Sequence, residues 1–131
     1  IFKKVSMVKI LLDTNFLLDI FRFKVDLFQI YEIFENAELY VSSETLRELK
    51  SISNRKTKEG RLALIALDFI EKEKIKIIQS LEKEVDKDLI ALAKKENFIV
   101  ATNDKNLRKK LKIENIKVIC LRNKKRIEVV E

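Results

Sequence analysis

Short apolar runs alternate with amphipathic stretches along this chain. The runs have the length of buried strands and occupy residues 8–12, 38–42, 75–78, 98–101, 117–121 and 127–130. Between them, apolar residues recur at helical spacing, most clearly at Val85, Leu89, Leu92 and Ala93. Strands that alternate with helices predict an α/β fold with a mainly parallel sheet and right-handed crossovers.

The middle of the chain allows three more specific predictions. The spacing of Leu27, Ile30, Tyr31 and Phe34 predicts a helix after the first helix of the chain. Charged residues over 54–60 predict an exposed loop. Residues 62–72 are apolar nearly all round, which predicts a buried helix.

Composition predicts one domain over residues 1–131. The chain is 47% hydrophobic, has a single Gly and contains no Pro, so no linker is evident. Met7 is a candidate start, which would make residues 1–6 an N-terminal extension. No apolar run approaches the roughly 18 residues of a membrane span. The single cysteine, Cys120, favours a reducing cytoplasm and is expected to be a small core residue.

Two further features of the composition bear on function. The chain has no His, which excludes imidazole general bases, His-ligated zinc and Ser-His-Asp or Cys-His catalysis. Its net charge is +7, with 28 Lys and Arg against 21 Asp and Glu. This excess favours a polyanionic partner, usually nucleic acid, but a solvated surface typical of heat-adapted proteins would have a similar composition.

Acidic residues stand where the predicted strands and helices meet. Asp13 and Asp104 follow two apolar strands, each beside an Asn and a Thr, and would converge if those strands are neighbours. Glu48 lies one turn into the helix after the second strand, and Asp86 opens the helix before the 98–101 strand. Each also has a structural interpretation, because Asp13, Asp86 and Asp104 could be N-caps and Glu48 could complete a capping box with Thr45.

Four convergent carboxylates repel one another unless a cation binds among them. Mg²⁺ is held in proteins by a few carboxylates together with water and substrate phosphates. Such an ion can activate water and stabilise the oxygens of a phosphodiester under attack. Asp19 and Asp88 are expected instead to be solvated or helix-terminal residues.

These motifs, in this order and at these separations, resemble the PIN-domain nucleases over about residues 8–122. The resemblance rests on Asp13-Thr14-Asn15, Glu48-Leu49, Asp86 with Leu89 and Ala93, and Thr102-Asn103-Asp104. It implies a three-layer α/β/α sandwich and a Mg²⁺- or Mn²⁺-dependent endonuclease that usually cuts RNA.

The resemblance also implies roles for individual residues. Asp13, Glu48, Asp86 and Asp104 would be the catalytic acids, and all but Glu48 would bind the metal. Asn15, Thr102 and Asn103 would be polar supports. Lys105, Arg108 and Lys109 follow Asp104 directly, so their charges would lie near the crevice and contact RNA phosphates.

Two branches of the family match. VapC toxins, which pair with an antitoxin, are single PIN domains of about this size. Residues 98–111 and 118–122 look closer to the branch that processes small-subunit ribosomal RNA, where a ribosome-assembly factor would be the partner. The family resemblance also makes a homodimer plausible.

Three points stay open at this stage. Asp88 stands two residues from Asp86 and could replace or supplement it. Residues 55–61 fit neither branch by length or charge. A catalytically silent PIN-like scaffold that binds RNA would have the same pattern, whereas a response-regulator receiver is disfavoured because the 75–78 strand ends without an Asp.

Overall fold

A computed structural model describes residues 7–130, so the proposed extension at residues 1–6 lies outside it. The described chain forms six strands and six α-helices. The strands are β1 (Val8–Leu12), β2 (Ala37–Ser42), β3 (Lys76–Ile78), β4 (Ile99–Ala101), β5 (Val118–Arg122) and β6 (Arg126–Val129). The helices are α1 (Thr14–Arg22), α2 (Ile30–Ile33), α3 (Ser43–Ser53), α4 (Lys58–Lys72), α5 (Val85–Glu96) and α6 (Lys105–Ile113).

The six strands form one sheet in the order β3-β2-β1-β4-β5-β6. All neighbouring pairs are parallel except β5 and β6, which form an antiparallel edge. β1 is central and pairs with β2 on one side and β4 on the other. The chain therefore winds outward in both directions from β1 and β4, which makes the crevice at their carboxyl ends the topological switch point of the sheet.

Helices cover both faces of this sheet. On one face, Ile10, Leu12 and Val41 pack in a cluster with residues of α1, α3 and α4. On the other face, Leu11 and Val100 pack with residues of α5 and α6. Alternate residues of β1 thus point into different clusters, as they must in a strand buried on both sides. The predicted α/β/α sandwich with a mainly parallel sheet is confirmed.

The helix predicted from Leu27 to Phe34 is much shorter than expected. Leu27–Gln29 is a 3₁₀ turn, which Asp26 caps by accepting a hydrogen bond from the Phe28 backbone N–H, and α2 adds a single turn. Phe34 already has an extended backbone, because the chain turns there to enter β2. Only Leu27 and Ile30 of the predicted apolar face are fully buried, and Tyr31 is exposed.

Two predictions about α4 are wrong. The helix begins at Lys58, inside the segment expected to be a loop, because Thr57 caps it by accepting a hydrogen bond from the Gly60 N–H. The helix is also not buried all round, since Leu64 and Ile65 are 55% and 49% exposed. Only the face with Leu62, Ala63, Ala66 and Ile70 enters the core, because nothing in the described chain covers the other face.

Two further observations concern composition. Cys120 is buried and unpaired, as expected for a small core residue. Within residues 7–130, no helix combines the length and the apolar character that a membrane span requires.

Candidate active site

All four predicted acids line one open cleft of about 350 Å³ at the carboxyl edge of the sheet. Its wall consists of Asp13, Thr14, Asn15, Leu18, Glu48, Ile52, Val85, Asp86 and Asp104. These residues come from four segments that are distant in sequence: the start of α1 after β1, the middle of α3 after β2, the start of α5 before β4, and the start of α6 after β4. The parallel pairing of β1 with β4 is what places Asp13 near Asp104.

Asp13 lies at the bottom of the cleft and is only 5% exposed. Its Oδ1 accepts a hydrogen bond from the Thr14 N–H at 2.7 Å, and its Oδ2 accepts one from the Thr102 hydroxyl at 2.7 Å. Burial raises the pKa of Asp13 from 3.8 to about 6; the two hydrogen bonds oppose this rise, and the charges of Asp86 and Glu48 add to it. Asp13 also caps α1, so the residue is both a helix cap and part of the acidic cleft.

Thr102 connects the two strand-end acids. Its hydroxyl donates to Asp13 and accepts a hydrogen bond from the Asp104 N–H at 3.1 Å. Asp104 in turn caps α6, because its Oδ1 accepts hydrogen bonds from the N–H groups of Asn106 and Leu107 at 2.8 and 3.2 Å. The buried Thr102 therefore fixes the spacing of Asp13 and Asp104 from behind the cleft.

Glu48 and Asp86 are not helix caps. Ser42 caps α3 and accepts a hydrogen bond from the Thr45 N–H, so a capping box based on Thr45 and Glu48 does not form. Asp86 lies in the first turn of α5, after the N-cap residue Glu84. Burial raises the pKa of Asp86, Asp104 raises it further, and the nearby charge of Lys110 partly offsets both effects.

Asn15 and Asn103 belong to a polar network beside the acids. The Asn103 backbone N–H donates to Asn15 Oδ1 at 3.4 Å, and its side-chain amide donates to Asp19 Oδ2 at 2.9 Å. Asp19 also forms an ion pair with Arg22, which pairs in turn with Glu59 of α4. Asp19 lies in the last turn of α1, which agrees with the helix-terminal alternative, but it is not merely solvated, because it links α1 to the loop that carries Asp104.

Asp88 is fully buried and so not solvated, but it lies in the first turn of α5, which agrees with the helix-terminal alternative. Its Oδ1 accepts hydrogen bonds from the N–H groups of Leu81 and Glu82 at 2.6 and 3.1 Å. Its Oδ2 has no hydrogen-bond partner in the described part of the chain. Asp88 does not line the cleft, so its role is to hold the 79–84 loop against α5.

Replacing Asp88 with alanine should lower the free energy of unfolding by roughly 1–3 kcal/mol, because two loop N–H groups lose their buried acceptor. Asp88→Asn keeps an acceptor oxygen and should retain most of the stability. Urea unfolding of the two variants beside the wild type measures the difference. Equal stability of Asp88→Ala and Asp88→Asn would show that these hydrogen bonds do not hold the loop.

The predicted RNA-binding residues line a different depression. Lys105, Arg108 and Lys109 border a groove of about 340 Å³ between α6 and the β5–β6 edge, with Ile116, Val118 and Val130 among its apolar residues. They do not line the acidic cleft. Lys110, whose charge acts on Asp86 in the cleft, belongs to the same basic stretch of α6 that was expected near the crevice but was not among the three predicted RNA-binding residues.

The residue set fits a hard divalent cation. Each oxygen of Asp13 accepts one hydrogen bond, and a carboxylate oxygen has lone pairs for a second partner. None of the four acids takes part in the ion pairs of residues 7–130, although the nearby charge of Lys110 offsets part of the repulsion at Asp86. In the same range, no three acidic side chains are already arranged around one ion position. An ion here would therefore keep water among its ligands, as Mg²⁺ usually does.

Carboxylates that converge at the switch point of an α/β sheet, in a chain without His, are typical of nucleases that act through carboxylate groups. The particular family follows from comparison with known proteins. The family model described as "PIN like domain" matches residues 10–124. The chain belongs to the PIN-domain nuclease family, which confirms the resemblance seen in the sequence.

Named relatives support the same assignment. The chain is 37% identical to "Ribonuclease VapC4" of Methanocaldococcus jannaschii, over 94% of this chain and 97% of that protein. It is 31% identical to "Ribonuclease VapC9" of Archaeoglobus fulgidus, over 89% of this chain and 85% of that protein.

A solved structure matches as well. The structure of the PIN domain endonuclease Utp24 superposes with a TM-score of 0.77 at 25% identity, over 92% of this chain and 90% of that one. A domain of a functionally unknown protein from Methanocaldococcus jannaschii, at 19% identity and a TM-score of 0.66, shares the fold.

Proposed function

We propose that the protein is a metal-dependent endoribonuclease that hydrolyses RNA phosphodiesters in the cytoplasm. The observation that carries this proposal is the convergence of Asp13, Glu48, Asp86 and Asp104 in one cleft. The ribonuclease names of relatives aligned over most of their own length support it. Since the chain has no His, these carboxylates are the site's candidate acid–base and ligand groups.

The proposed roles follow from the surroundings of each acid. Asp13, Asp86 and Asp104 hold Mg²⁺ or Mn²⁺, and Glu48 serves as a catalytic carboxylate on the exposed wall of the cleft. When bound, such an ion lowers the pKa of water and stabilises the charge on phosphodiester oxygens. Thr102 keeps Asp13 and Asp104 at a fixed spacing, while Asn15 and Asn103 hold the surrounding loops.

For the cellular role, we favour a VapC-type ribonuclease. The support is a match to VapC4 that extends over nearly the whole length of both chains. In that role the resemblance implies a protein antitoxin as partner and allows a homodimer. Ribosomal-RNA processing with an assembly partner is the second candidate, and the structural similarity to Utp24 favours it.

Asp86→Asn is expected to reduce RNA cleavage by roughly 100-fold or more, the effect of losing one preorganised electrostatic group in an active site. The substrate is an end-labelled structured RNA, incubated with Mg²⁺ or Mn²⁺ and, in parallel, with EDTA. Asp68→Asn is the matched control, because Asp68 is an exposed acid on α4 outside the cleft. We expect cleavage by the wild type and by the control only when metal is present.

Two results would contradict the proposal. Cleavage that persists in Asp86→Asn or in EDTA would mean that this site does not perform the reaction. Retained RNA binding without cleavage by the wild type, in either metal, would favour the catalytically silent scaffold.

A further inference from the structure

A second cavity, of about 500 Å³, adjoins the acidic cleft on the side of α3. It shares Glu48, Ile52 and Val85 with the cleft, so the two depressions are continuous. Its remaining lining residues are Glu44, Arg47, Ser51, Arg55 and Lys83. The cavity therefore brings three cationic side chains to the border of a site whose centre is acidic.

Two of these cations are free to bind a ligand. Arg55 and Lys83 are exposed, and neither takes part in the ion pairs formed by residues 7–130. Arg47 differs, because its guanidinium lies 3.3 Å from a carboxylate oxygen of Glu44. Arg55 and Lys83 are thus the two cations of this cavity that have no ion-pair partner within residues 7–130.

Tight packing holds the backbone at Arg55. The Arg55 N–H donates to the Ile52 carbonyl at 3.0 Å, which closes the turn after α3. Gly60 of α4 packs against that turn so closely that a Cβ at this position would lie 2.0 Å from the Arg55 carbonyl oxygen. The 55–61 segment, which the sequence did not explain, is therefore a compact corner that presents Arg55 to the cavity.

The loop that carries Lys83 is held from two sides. The Ser80 hydroxyl accepts a hydrogen bond from the Glu44 N–H at 2.9 Å, and the Ser43 hydroxyl accepts one from the Ser80 N–H at 2.9 Å. Asp88 binds the next two N–H groups of the same loop from α5. This loop is therefore fixed to both α3 and α5, the helices that carry Glu48 and Asp86.

The charge of the acidic cleft bears on what Arg55 and Lys83 can bind. A cleft lined by four carboxylates repels an RNA strand, so cations at its border are needed to hold the strand against it. The groove along α6 supplies cations toward β5 and β6. The cavity with Arg55 and Lys83 lies on the opposite side in sheet order, where α3 follows β2 and the 79–84 loop follows β3.

We infer that Arg55 and Lys83 form a second phosphate-binding site for single-stranded RNA, on the α3 side of the acidic cleft. The inference rests on the proposed ribonuclease function, because it assumes that the strand enters this cleft. The two side chains contact phosphates that flank the bond to be cut, and they bind without reading base sequence. Arg55 and Lys83 thereby hold the strand across the carboxyl edge of the sheet.

The inference is tested by measuring RNA binding in EDTA. EDTA removes the divalent metal, so binding is measured without cleavage. The probes are fluorescein-labelled oligouridylates of roughly 4 to 16 nucleotides, measured by anisotropy over a range of salt concentrations. The double variant R55Q/K83Q is compared with the control K72Q/K95Q, which also removes two positive charges. Lys72 and Lys95 lie in the C-terminal turns of α4 and α5 and line neither the α6 groove nor the cavity with Arg55 and Lys83.

We expect R55Q/K83Q to bind the longer oligonucleotides roughly tenfold more weakly at low salt. The slope of log K against log salt should become shallower by about 1.4, since each phosphate contact on a single strand contributes about 0.7. The shortest oligonucleotide should be affected least, because it can bind on the α6 side alone. K72Q/K95Q should keep the wild-type slope.

The outcomes separate this inference from the proposed function. If R55Q/K83Q keeps the wild-type slope while the wild type cleaves RNA, the second phosphate site is wrong and the ribonuclease stands. If the slope falls as expected but the wild type does not cleave, the binding site stands and the catalytic proposal fails. Equal losses in R55Q/K83Q and K72Q/K95Q would show only nonspecific charge attraction and would overturn the inference.

Discussion

Replacing Asp13 with asparagine is expected to stabilise the metal-free protein at pH 8 by roughly 2–3 kcal/mol while it abolishes RNA cleavage. The stability effect follows from the pKa of Asp13, which the fold raises from 3.8 to about 6, mainly through burial. Each pKa unit corresponds to about 1.4 kcal/mol of difference between the two protonation states. An asparagine side chain does not titrate, so the variant avoids the burial of a charge.

The sign of the pH dependence follows from proton binding. The folded state binds the Asp13 proton more tightly than the unfolded state does, so the contribution to stability is fully present below pH 3.8 and is lost as the pH rises to about 6. Wild type and Asp13→Asn should therefore differ most above pH 6 and converge near pH 4. Mg²⁺ should narrow the difference, since it binds the ionised carboxylate of the wild type only.

Urea unfolding in EDTA at pH 4, 6 and 8 measures this effect. Asp68→Asn, at an exposed position, should stay within about 0.5 kcal/mol of the wild type at each pH. An Asp13→Asn variant that is less stable than the wild type at pH 8 would show that the hydrogen bonds from Thr14 and Thr102 outweigh the effect of burial. The expected gain in stability with loss of activity is the trade-off of an active site that keeps a charged group buried for its function.

Gly60→Ala is expected to destabilise the fold by roughly 2 kcal/mol, although alanine is the better helix former. The added Cβ would lie 2.0 Å from the carbonyl oxygen and 3.0 Å from the carbonyl carbon of Arg55, and both are backbone atoms. Because backbone cannot rotate away as a side chain can, the turn after α3 has to move. Urea unfolding measures the loss, and RNA binding should weaken as well because Arg55 moves with the turn.

Lys58→Ala is the control for Gly60→Ala. Lys58 is exposed in the same first turn of α4, so its replacement should change the free energy of unfolding by no more than about 0.5 kcal/mol. A Gly60→Ala variant as stable as the wild type would mean that the corner relaxes without strain. In that case Gly60 would not be what holds Arg55 at the cavity.

The part of the site that sequence predicted is the part encoded locally. The sequence shows β1 and β4 as apolar runs followed by Asp13 and Asp104, and the α/β pattern predicts a parallel sheet. That these two strands are neighbours was only a condition of the prediction, and the structure meets it. Glu48 and Asp86 could be placed at the same edge because each lies in the first turns of a helix beside it. Only the three-dimensional structure shows that all four acids line one cleft.

The misplaced residues depend on partners that no local pattern shows. Asp88 is buried because the loop just before α5 folds back to donate two N–H groups from Leu81 and Glu82. Its i, i+4 spacing to Leu92, on the buried face of α5, was the one local signal for this burial. Asp19 is held by Asn103, from a segment 84 residues away. Because Leu64 and Ile65 are apolar, the sequence predicted that α4 is buried on all sides. Both side chains are exposed, because no other element of the described chain packs on that face of the helix.

The central position of β1 has a consequence for the order of events during translation. β1 finds its neighbour β2 early, but its other edge stays open until the ribosome has added β4, which begins at Ile99. An unpaired central strand is a site for wrong pairing, so the nascent chain is vulnerable through this interval. For the same reason a translation product that stops before Asp104 has an incomplete acidic cleft, because the other three acids of the cleft all precede Asp104 in the sequence.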